Sequence, residues 1–215
     1  MLIQPNSTLL MVGDSVTDCE HSRSDDLGLF DSLGSGYVSL VNGMLMARFT
    51  SQGIKVINRG IGGNTVRDLK ARWEEDVLNL HPDWLSVCIG INDVWRQFDS
   101  PEHPEWGVPL QEYSQTLLEL VRVTQSALKG LVLLSPYYIQ PDRADPMRRR
   151  MDEYGTAVQE IADSLGVLFV DTQAGFDLVL EHHPAEALAW DRIHPTLAGH
   201  MLLAQLFLKG VKFDW

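Results

Sequence analysis

The sequence is poor in cysteine and in positive charge, and both shortages narrow its possible functions. Only two cysteines, Cys19 and Cys88, occur in 215 residues, so there is no disulfide framework and an oxidised pair is not expected. Seventeen lysines and arginines stand against 29 aspartates and glutamates, which gives a formal net charge of −12. Such a surface repels nucleic acid and anionic membranes, so we expect neither as a partner and expect a neutral substrate instead.

Long hydrophobic runs and a secretion signal are also missing. The apolar run at 8–12, TLLMV, is far shorter than a transmembrane helix, and it lacks the basic start and the small-residue cleavage site of a signal peptide. No cluster of histidine, cysteine and acidic residues has the spacing of metal ligands, so neither a metal nor another cofactor is expected. These absences predict a cytoplasmic protein, in which the sequon NST at 6–8 is a chance match.

Short apolar runs alternate with segments of helical period along the whole chain. Five short runs, which mostly do not alternate with polar residues, predict strands buried on both faces at 8–12, 55–58, 84–89, 130–135 and 167–170. Apolar spacings of i, i+3, i+4 and i+7 predict helices at 36–49, 65–81, 110–128, 149–166 and 195–208. The alternation implies one α/β domain over 1–215, a flavodoxin-like three-layer α/β/α sandwich around a five-stranded parallel sheet. The proline-containing segment 96–109 is predicted to be a long loop beside the binding cleft.

Four polar motifs carry the chemistry of the sequence. GDS, GIGGNT and GINDVW follow the first three predicted strands and contain Ser15, Gly63 and Asn92, at the sheet edge where ligands collect. AWDRIHP places Asp191 three residues before His194, a spacing that can bring the carboxylate to the imidazole Nδ1. Each motif alone is ordinary turn composition. Together they supply a nucleophile, a base, a residue that orients the base and oxyanion donors, which acyl transfer requires.

In this order the motifs resemble the four blocks of the SGNH, or GDSL-type, hydrolases, which are named for Ser, Gly, Asn and His. The resemblance covers essentially the whole chain. It implies that Ser15 is the nucleophile, His194 the base and Asp191 the residue that orients it. It also implies an oxyanion hole formed by the amides of Ser15 and Gly63 and the side chain of Asn92.

Four longer stretches are similar to a narrower group, the intracellular acetylxylan esterases of xylan-degrading bacilli. They read GNTVRDLKARWEEDV, IGINDVWRQ, DPMRRRMD and ALAWDRIHP. The similarity implies a serine esterase that removes acetyl groups from acetylated xylo-oligosaccharides or related sugars, and a homo-oligomer that is expected to exceed a dimer. Trp95 and Trp190 flank the third and fourth blocks, where their rings either stack on a sugar or pack beneath the cleft or at a subunit contact.

Two other functions stay open at this point. A lysophospholipase or thioesterase on the same scaffold would need an apolar acyl tunnel, and the segment 96–109 offers few aliphatic residues for one. A non-catalytic sugar-binding protein would have lost part of the catalytic set, whereas all four blocks are complete.

Several other polar residues are given structural interpretations. The six histidines other than His194 are predicted to lie at the surface, and Cys19 is predicted to be an ordinary thiol with no histidine placed beside it. Asp14 and Asp93 are interpreted as structural hydrogen-bond acceptors. The basic run at 148–150 is interpreted as a solvated helix face or a subunit contact.

Overall fold

A five-stranded parallel sheet forms the centre of the computed structural model, which describes residues 1–22 and 32–215. Its order is β2-β1-β3-β4-β5, and each neighbouring pair is parallel. The strands are β1 Thr8–Gly13, β2 Lys55–Gly60, β3 Trp84–Cys88, β4 Gly130–Leu134 and β5 Leu168–Val170. All five begin and end within two residues of the predicted bounds, and the predicted α/β architecture is confirmed.

The helices form two groups around the sheet. Helix α10 contacts α2 and α8, whereas α6 contacts α3 and α7, and α5 contacts α7. Right-handed crossovers place the two groups on opposite faces of the sheet. The helices are α1 Ser15–Asp18, α2 Tyr37–Arg48, α3 Val66–Ala71, α4 Trp73–Asp76, α5 Ile91–Asp99, α6 Leu110–Thr124, α7 Pro146–Leu165, α8 Thr172–Leu180, α9 Ala185–Leu188 and α10 Leu197–Gly210.

The strand order determines where a ligand can bind. The chain leaves β1 toward β2 on one side and returns to β3 on the other, so a crevice opens at the carboxyl ends of β1 and β3. Ser15 lies two residues beyond the end of β1, and Asn92 lies four residues beyond the end of β3. The topology therefore brings the first and third blocks to one point of the sheet edge.

The prediction of one helix over 65–81 is wrong. Helix α3 ends at Ala71 and α4 begins at Trp73, and a 3₁₀ turn follows at Leu78–Leu80. Arg72 separates the two helices, with φ −108° and ψ 6°, and its guanidinium reaches the backbone at the ends of β1 and β2. Apolar periodicity does not detect this break, because the buried side chains keep a spacing of four residues across it. They are Leu69, Trp73 and Val77.

The loop predicted at 96–109 is shorter than expected, since α5 occupies its first four residues. The first turn of α5 buries two polar residues, Asn92 and Asp93, which are weak helix formers and hide the helical pattern. The basic run also needs correction, because Arg148 is buried. Its guanidinium forms ion pairs with Asp152 and Asp177, each at 2.8 Å, so this part of the run is not a solvated face.

Candidate active site

Ser15 stands at the start of a short helix directly after β1. The chain turns sharply here, and a Cβ on Gly13 would lie 2.2 Å from the Cys88 carbonyl oxygen, so only glycine fits. The Asp14 side chain caps the turn by accepting a hydrogen bond from the Val16 amide at 3.0 Å. As the first residue of helix α1, Ser15 has a backbone amide that the helix itself leaves unpaired.

Asp191 and His194 lie in one tight turn before α10. The Asp191 Oδ1 atom accepts hydrogen bonds from the backbone amides of Ile193 at 3.0 Å and His194 at 2.8 Å. Arg192 adopts the left-handed φ of 67° that this turn needs. The turn is tied to the segment after β4, because the Arg192 carbonyl accepts a hydrogen bond from the Ile139 amide at 3.0 Å.

The three residues meet in the geometry of a catalytic triad. His194 Nε2 lies 3.0 Å from Ser15 Oγ, and His194 Nδ1 lies 2.5 Å from Asp191 Oδ2. The carboxylate holds the ring proton on Nδ1, so Nε2 is left to accept the serine proton. Burial alone would raise the pKa of Asp191, but hydrogen bonds from the His194 ring and from the His194 and Ile193 amides outweigh it and lower the pKa. Asp191 is therefore ionised near neutral pH.

Gly63 and Asn92 lie on neighbouring loops at the same sheet edge. Gly63 has φ +78°, a left-handed conformation that glycine adopts without strain. Within residues 1–22 and 32–215, its amide has no backbone or side-chain hydrogen-bond partner. The Asn92 side chain donates one hydrogen to the Asn64 carbonyl at 3.0 Å, which fixes the orientation of the amide. Because an amide nitrogen carries two hydrogens, the second is left for another acceptor.

Two buried carboxyl groups, Asp14 and Asp93, lie beneath these loops. One oxygen of Asp14 accepts from the Val16 amide, and one oxygen of Asp93 accepts from the Val66 amide at 3.0 Å. These bonds agree with the structural interpretation of both residues. The second oxygen of each is buried and has no partner in the described part of the chain. Burial raises the pKa of each carboxyl from its ordinary 3.8 to about 7.

The two tryptophans that flank the blocks differ in their surroundings. Trp95 is half-buried and presents its ring at an angle of 71° to the His194 ring, with the centroids 6.0 Å apart. The Arg96 guanidinium lies 4.7 Å from the centre of the Trp95 ring. Trp190 is 79% exposed, so it does not pack beneath the cleft in this chain.

The prediction that the remaining histidines lie at the surface is wrong for His21 and His200, and Cys19 does have a histidine beside it. His200 Nδ1 accepts a hydrogen bond from the Tyr37 amide at 3.2 Å, so its proton is on Nε2, which lies 3.4 Å from Cys19 Sγ. Burial, together with the charge of His194, lowers the pKa of His200 to about 4. His200 is therefore neutral, and it links helix α10 to α2, from which it accepts a hydrogen bond, and to the end of α1, to which it donates one.

Sequence reasoning missed Arg72, which contacts the ends of two strands and the side chain of Asn64. Arg72 lies inside a segment of helical period, and nothing in that pattern indicates contacts with the strand ends. Among the residues that the structure describes, no group of three or more histidine, cysteine and acidic side chains is placed to hold a metal ion. The same residues contain no helix that is both long enough and apolar enough to cross a membrane.

Comparison with known proteins agrees with this geometry. The model of the GDSL-like lipase/acylhydrolase family matches residues 11–202. A curated acetylxylan esterase from Geobacillus stearothermophilus is 53% identical over 215 residues, which are 100% of this chain and 98% of that protein. The crystal structure of a Geobacillus stearothermophilus acetylxylan esterase has 53% identity and a TM-score of 0.98, with the same coverage.

Two further findings concern the site and the fold. Three crystal structures of catalytic mutants of that esterase, each with a TM-score of 0.98, carry alanine at positions that have the same numbers as the triad here, 15, 191 and 194. An alpha/beta hydrolase enzyme from the metagenome of Lake Arreo, Spain, is 48% identical with a TM-score of 0.97, over 99% of this chain and 98% of that one.

Proposed function

The chain belongs to the GDSL-like lipase/acylhydrolase family, and from this premise we propose that it is a serine esterase that removes acetyl groups from acetylated xylo-oligosaccharides. The observation that carries the proposal is the continuous line of hydrogen bonds from Ser15 Oγ through the His194 ring to Asp191. The substrate class is supported by the acetylxylan esterase to which the chain is 53% identical over its full length.

Acylation begins with proton transfer from Ser15 Oγ to His194 Nε2. The oxygen forms a bond to the acetyl carbonyl carbon, and the carbonyl oxygen takes the negative charge of the tetrahedral intermediate. The amides of Ser15 and Gly63 and the second hydrogen of the Asn92 side chain stabilise that charge. The ionised Asp191 stabilises the imidazolium. Collapse of the intermediate breaks the bond to the sugar oxygen, which leaves with the proton from His194.

Deacylation repeats these steps with water. His194 takes a proton from the water, whose oxygen attacks the carbonyl of the acetyl-serine, and acetate leaves as the proton returns to Ser15. Trp95 and Trp190 are the proposed sugar contacts. The position of Trp95, whose ring centre lies 6.0 Å from that of His194, and the exposure of Trp190 support this role, because an aromatic face stacks on the apolar side of a sugar ring.

The lysophospholipase or thioesterase alternative is less favoured, since the curated relative is an acetylxylan esterase. We expect acetyl esters to be hydrolysed fastest and kcat/KM to fall steeply by butyryl. One methylene changes binding by only about 1–3 kcal/mol, so a steep fall requires a pocket that excludes longer chains. Faster hydrolysis of octanoyl than of acetyl esters would favour the alternative.

The direct test measures acetate release from acetylated xylo-oligosaccharides. Ser15→Ala should keep the fold and lose several orders of magnitude in kcat, because the nucleophile is gone. Ser114→Ala is the matched control, since among the described residues its hydroxyl donates its hydrogen bond to the Leu110 carbonyl inside helix α6. Wild-type turnover by pure Ser15→Ala enzyme would eliminate the proposed mechanism, and a wild-type protein that releases no acetate would eliminate the proposed substrate.

Assembly and location are part of the same proposal. A homo-oligomer is supported by large apolar side chains at the surface, of which Leu178, Leu197 and Trp215 are each at least 60% exposed. Light scattering coupled to gel filtration tests the assembly, and a mass of one chain at micromolar concentration would contradict it. The cytoplasm is the proposed location.

A further inference from the structure

Arg72 is held in place by four hydrogen bonds at the carboxyl ends of β1 and β2. Nη2 donates to the Gly13 carbonyl at 2.9 Å, and Nη1 donates to the Arg59 carbonyl at 2.8 Å. Nε donates to the Asn64 Oδ1 atom and Nη1 also donates to Asp76 Oδ2, both at 2.7 Å. The side chain is only 12% exposed. These bonds restrict the guanidinium to one position.

Two of these contacts lead directly to the catalytic loops. Gly13 is two residues before Ser15, and its carbonyl also accepts a hydrogen bond from the Ile61 amide at 3.1 Å. Asn64 follows Gly63, and the Asn64 carbonyl accepts the hydrogen bond from the Asn92 side chain. One side chain therefore links the turn of the nucleophile to the loop that carries or orients both other oxyanion donors.

Arg72 places a positive charge close to the catalytic turn. Among the described residues, three of its four hydrogen-bond acceptors are neutral oxygens, and the fourth is the Asp76 carboxylate at 2.7 Å. The positive charge of Arg72 acts to lower the pKa of Asp14 in that turn, and so opposes the effect of burial, which raises it. A cation behind an oxyanion hole favours the charged intermediate over the neutral ester.

We propose that Arg72 is a positioning residue of the oxyanion hole. By tying Asn64 to the ends of β1 and β2, it holds the Gly63 and Asn92 amides at the distance from Ser15 that the tetrahedral intermediate requires. Arg72 acts through Asn64 and Gly13 and does not itself contact the substrate. This inference rests on the proposed esterase function and assigns a role to a residue outside the four blocks.

The first test compares Arg72, whose side chain is largely buried, with the buried Arg148 in steady-state kinetics on an acetyl ester. Arg72→Ala should lower kcat about 10–100-fold and change KM less than about threefold, because displaced oxyanion donors lose mainly transition-state contacts. Arg148→Ala is the matched control. It also removes a buried guanidinium with several partners, namely Gln140, Asp152 and Asp177, and should lower the melting temperature while kcat stays within about threefold of the wild type. Equal losses of kcat in both variants, or no loss in Arg72→Ala, would overturn the inference.

The second test asks whether Arg72 acts through Asn64. Asn64→Ala removes the side-chain acceptor of Arg72 but keeps the carbonyl that holds Asn92, so we expect a loss of about tenfold in kcat and a nearly unchanged melting temperature. Combined with Arg72→Ala, it should add little further loss, since both changes remove the same link. If Arg72→Ala does not fold, Arg72→Lys replaces it in the cycle, because lysine keeps the charge but lacks the planar fork. Fully additive losses in kcat would overturn the inference.

The two proposals fail in different ways. A wild-type protein without acetylesterase activity would contradict both the proposed function and this inference. An active wild type, an inactive Ser15→Ala and a fully active Arg72→Ala would leave the proposed function intact and end only the role of Arg72.

Discussion

The Asn92 amide uses one hydrogen for the Asn64 carbonyl, and the proposed mechanism assigns the other to the substrate. Asn92→Ala should therefore reduce kcat by about 10²–10³, with little change in KM, because a donor aimed at the carbonyl oxygen binds most strongly once that oxygen is charged. Steady-state kinetics on an acetyl ester, beside a melting curve, measures this. Asn42→Ala is the control, since Asn42 lies on α2 and its side-chain amide donates, within the part of the chain that the structure describes, to the Met46 sulfur. An unchanged kcat would remove Asn92 from the oxyanion hole.

His194 and His200 differ in how far their contacts can be predicted from the sequence. The spacing of Asp191 and His194 predicts their contact, because three residues of turn bring the carboxylate to Nδ1. The role of His200 was not predictable, since its Nδ1 partner is the amide of Tyr37, 163 residues away. Histidine is the proposed base at position 194 and a neutral link between helices at position 200, and the hydrogen-bond partners decide which.

Helix α3 begins with a capping box that also ends the loop of the second block. The Thr65 hydroxyl accepts from the Asp68 amide, and the Asp68 carboxylate accepts from the Thr65 amide at 2.8 Å. Thr65→Ala should lower the free energy of unfolding by about 1 kcal/mol, the usual cost of an N-cap. Urea unfolding measures this, with Thr65→Ser expected to restore most of the loss. Thr156→Ala, in the middle of α7, is the control, and an equal loss there would contradict a capping role for Thr65.

A helix or strand can be predicted from the sequence when the interactions that determine it involve its own residues. All five strands were predictable, because the short apolar run that predicts each one lies within the strand itself. The prediction of burial on both faces is wrong for β2, where buried residues alternate with exposed or partly exposed ones. The break at Arg72 was not, because its cause is a set of acceptors on β1, β2 and the loop between β2 and α3. Helix α5 was missed because its first turn places Asn92 and Asp93 where a core helix usually has apolar residues.

The two buried carboxyl groups should make the whole molecule less stable as the pH rises from about 4 to about 7. Burial raises the pKa of Asp14 and Asp93 to about 7, above the 3.8 of an exposed carboxyl, so the folded state binds these two protons more tightly than the unfolded state across this interval. Their contribution to the free energy of unfolding then decreases with pH in this window, and the loss persists above it. His200 acts in the opposite sense, because burial lowers its pKa from 6.5 to about 4, so it adds stability as the pH rises from about 4 to about 6.5. Substitution of one carboxyl group separates the two effects. Asp93→Asn should have a larger free energy of unfolding than the wild type. The difference should grow with pH and reach the order of a few kcal/mol at pH 8.

Chemical denaturation of both proteins at pH 4.5, 6 and 8 checks this expectation. Asparagine keeps the oxygen that accepts from the Val66 amide and resembles the protonated acid, so the contact should survive the substitution. Asp163→Asn serves as a control because Asp163 lies exposed on α7. If the difference between Asp93→Asn and the wild type does not change with pH, Asp93 does not titrate in this interval.

The proposed nucleophile, Ser15, and its proposed base, His194, are 179 positions apart, and this has a consequence for biosynthesis. During translation, β1 can pair with β2 and β3 once the chain has left the ribosome as far as the end of β3 at Cys88, so the serine turn can form early. His194 is made roughly 100 residues after Cys88. A nascent chain that ends before His194 therefore carries Ser15 without its proposed base, and we expect no esterase activity from it.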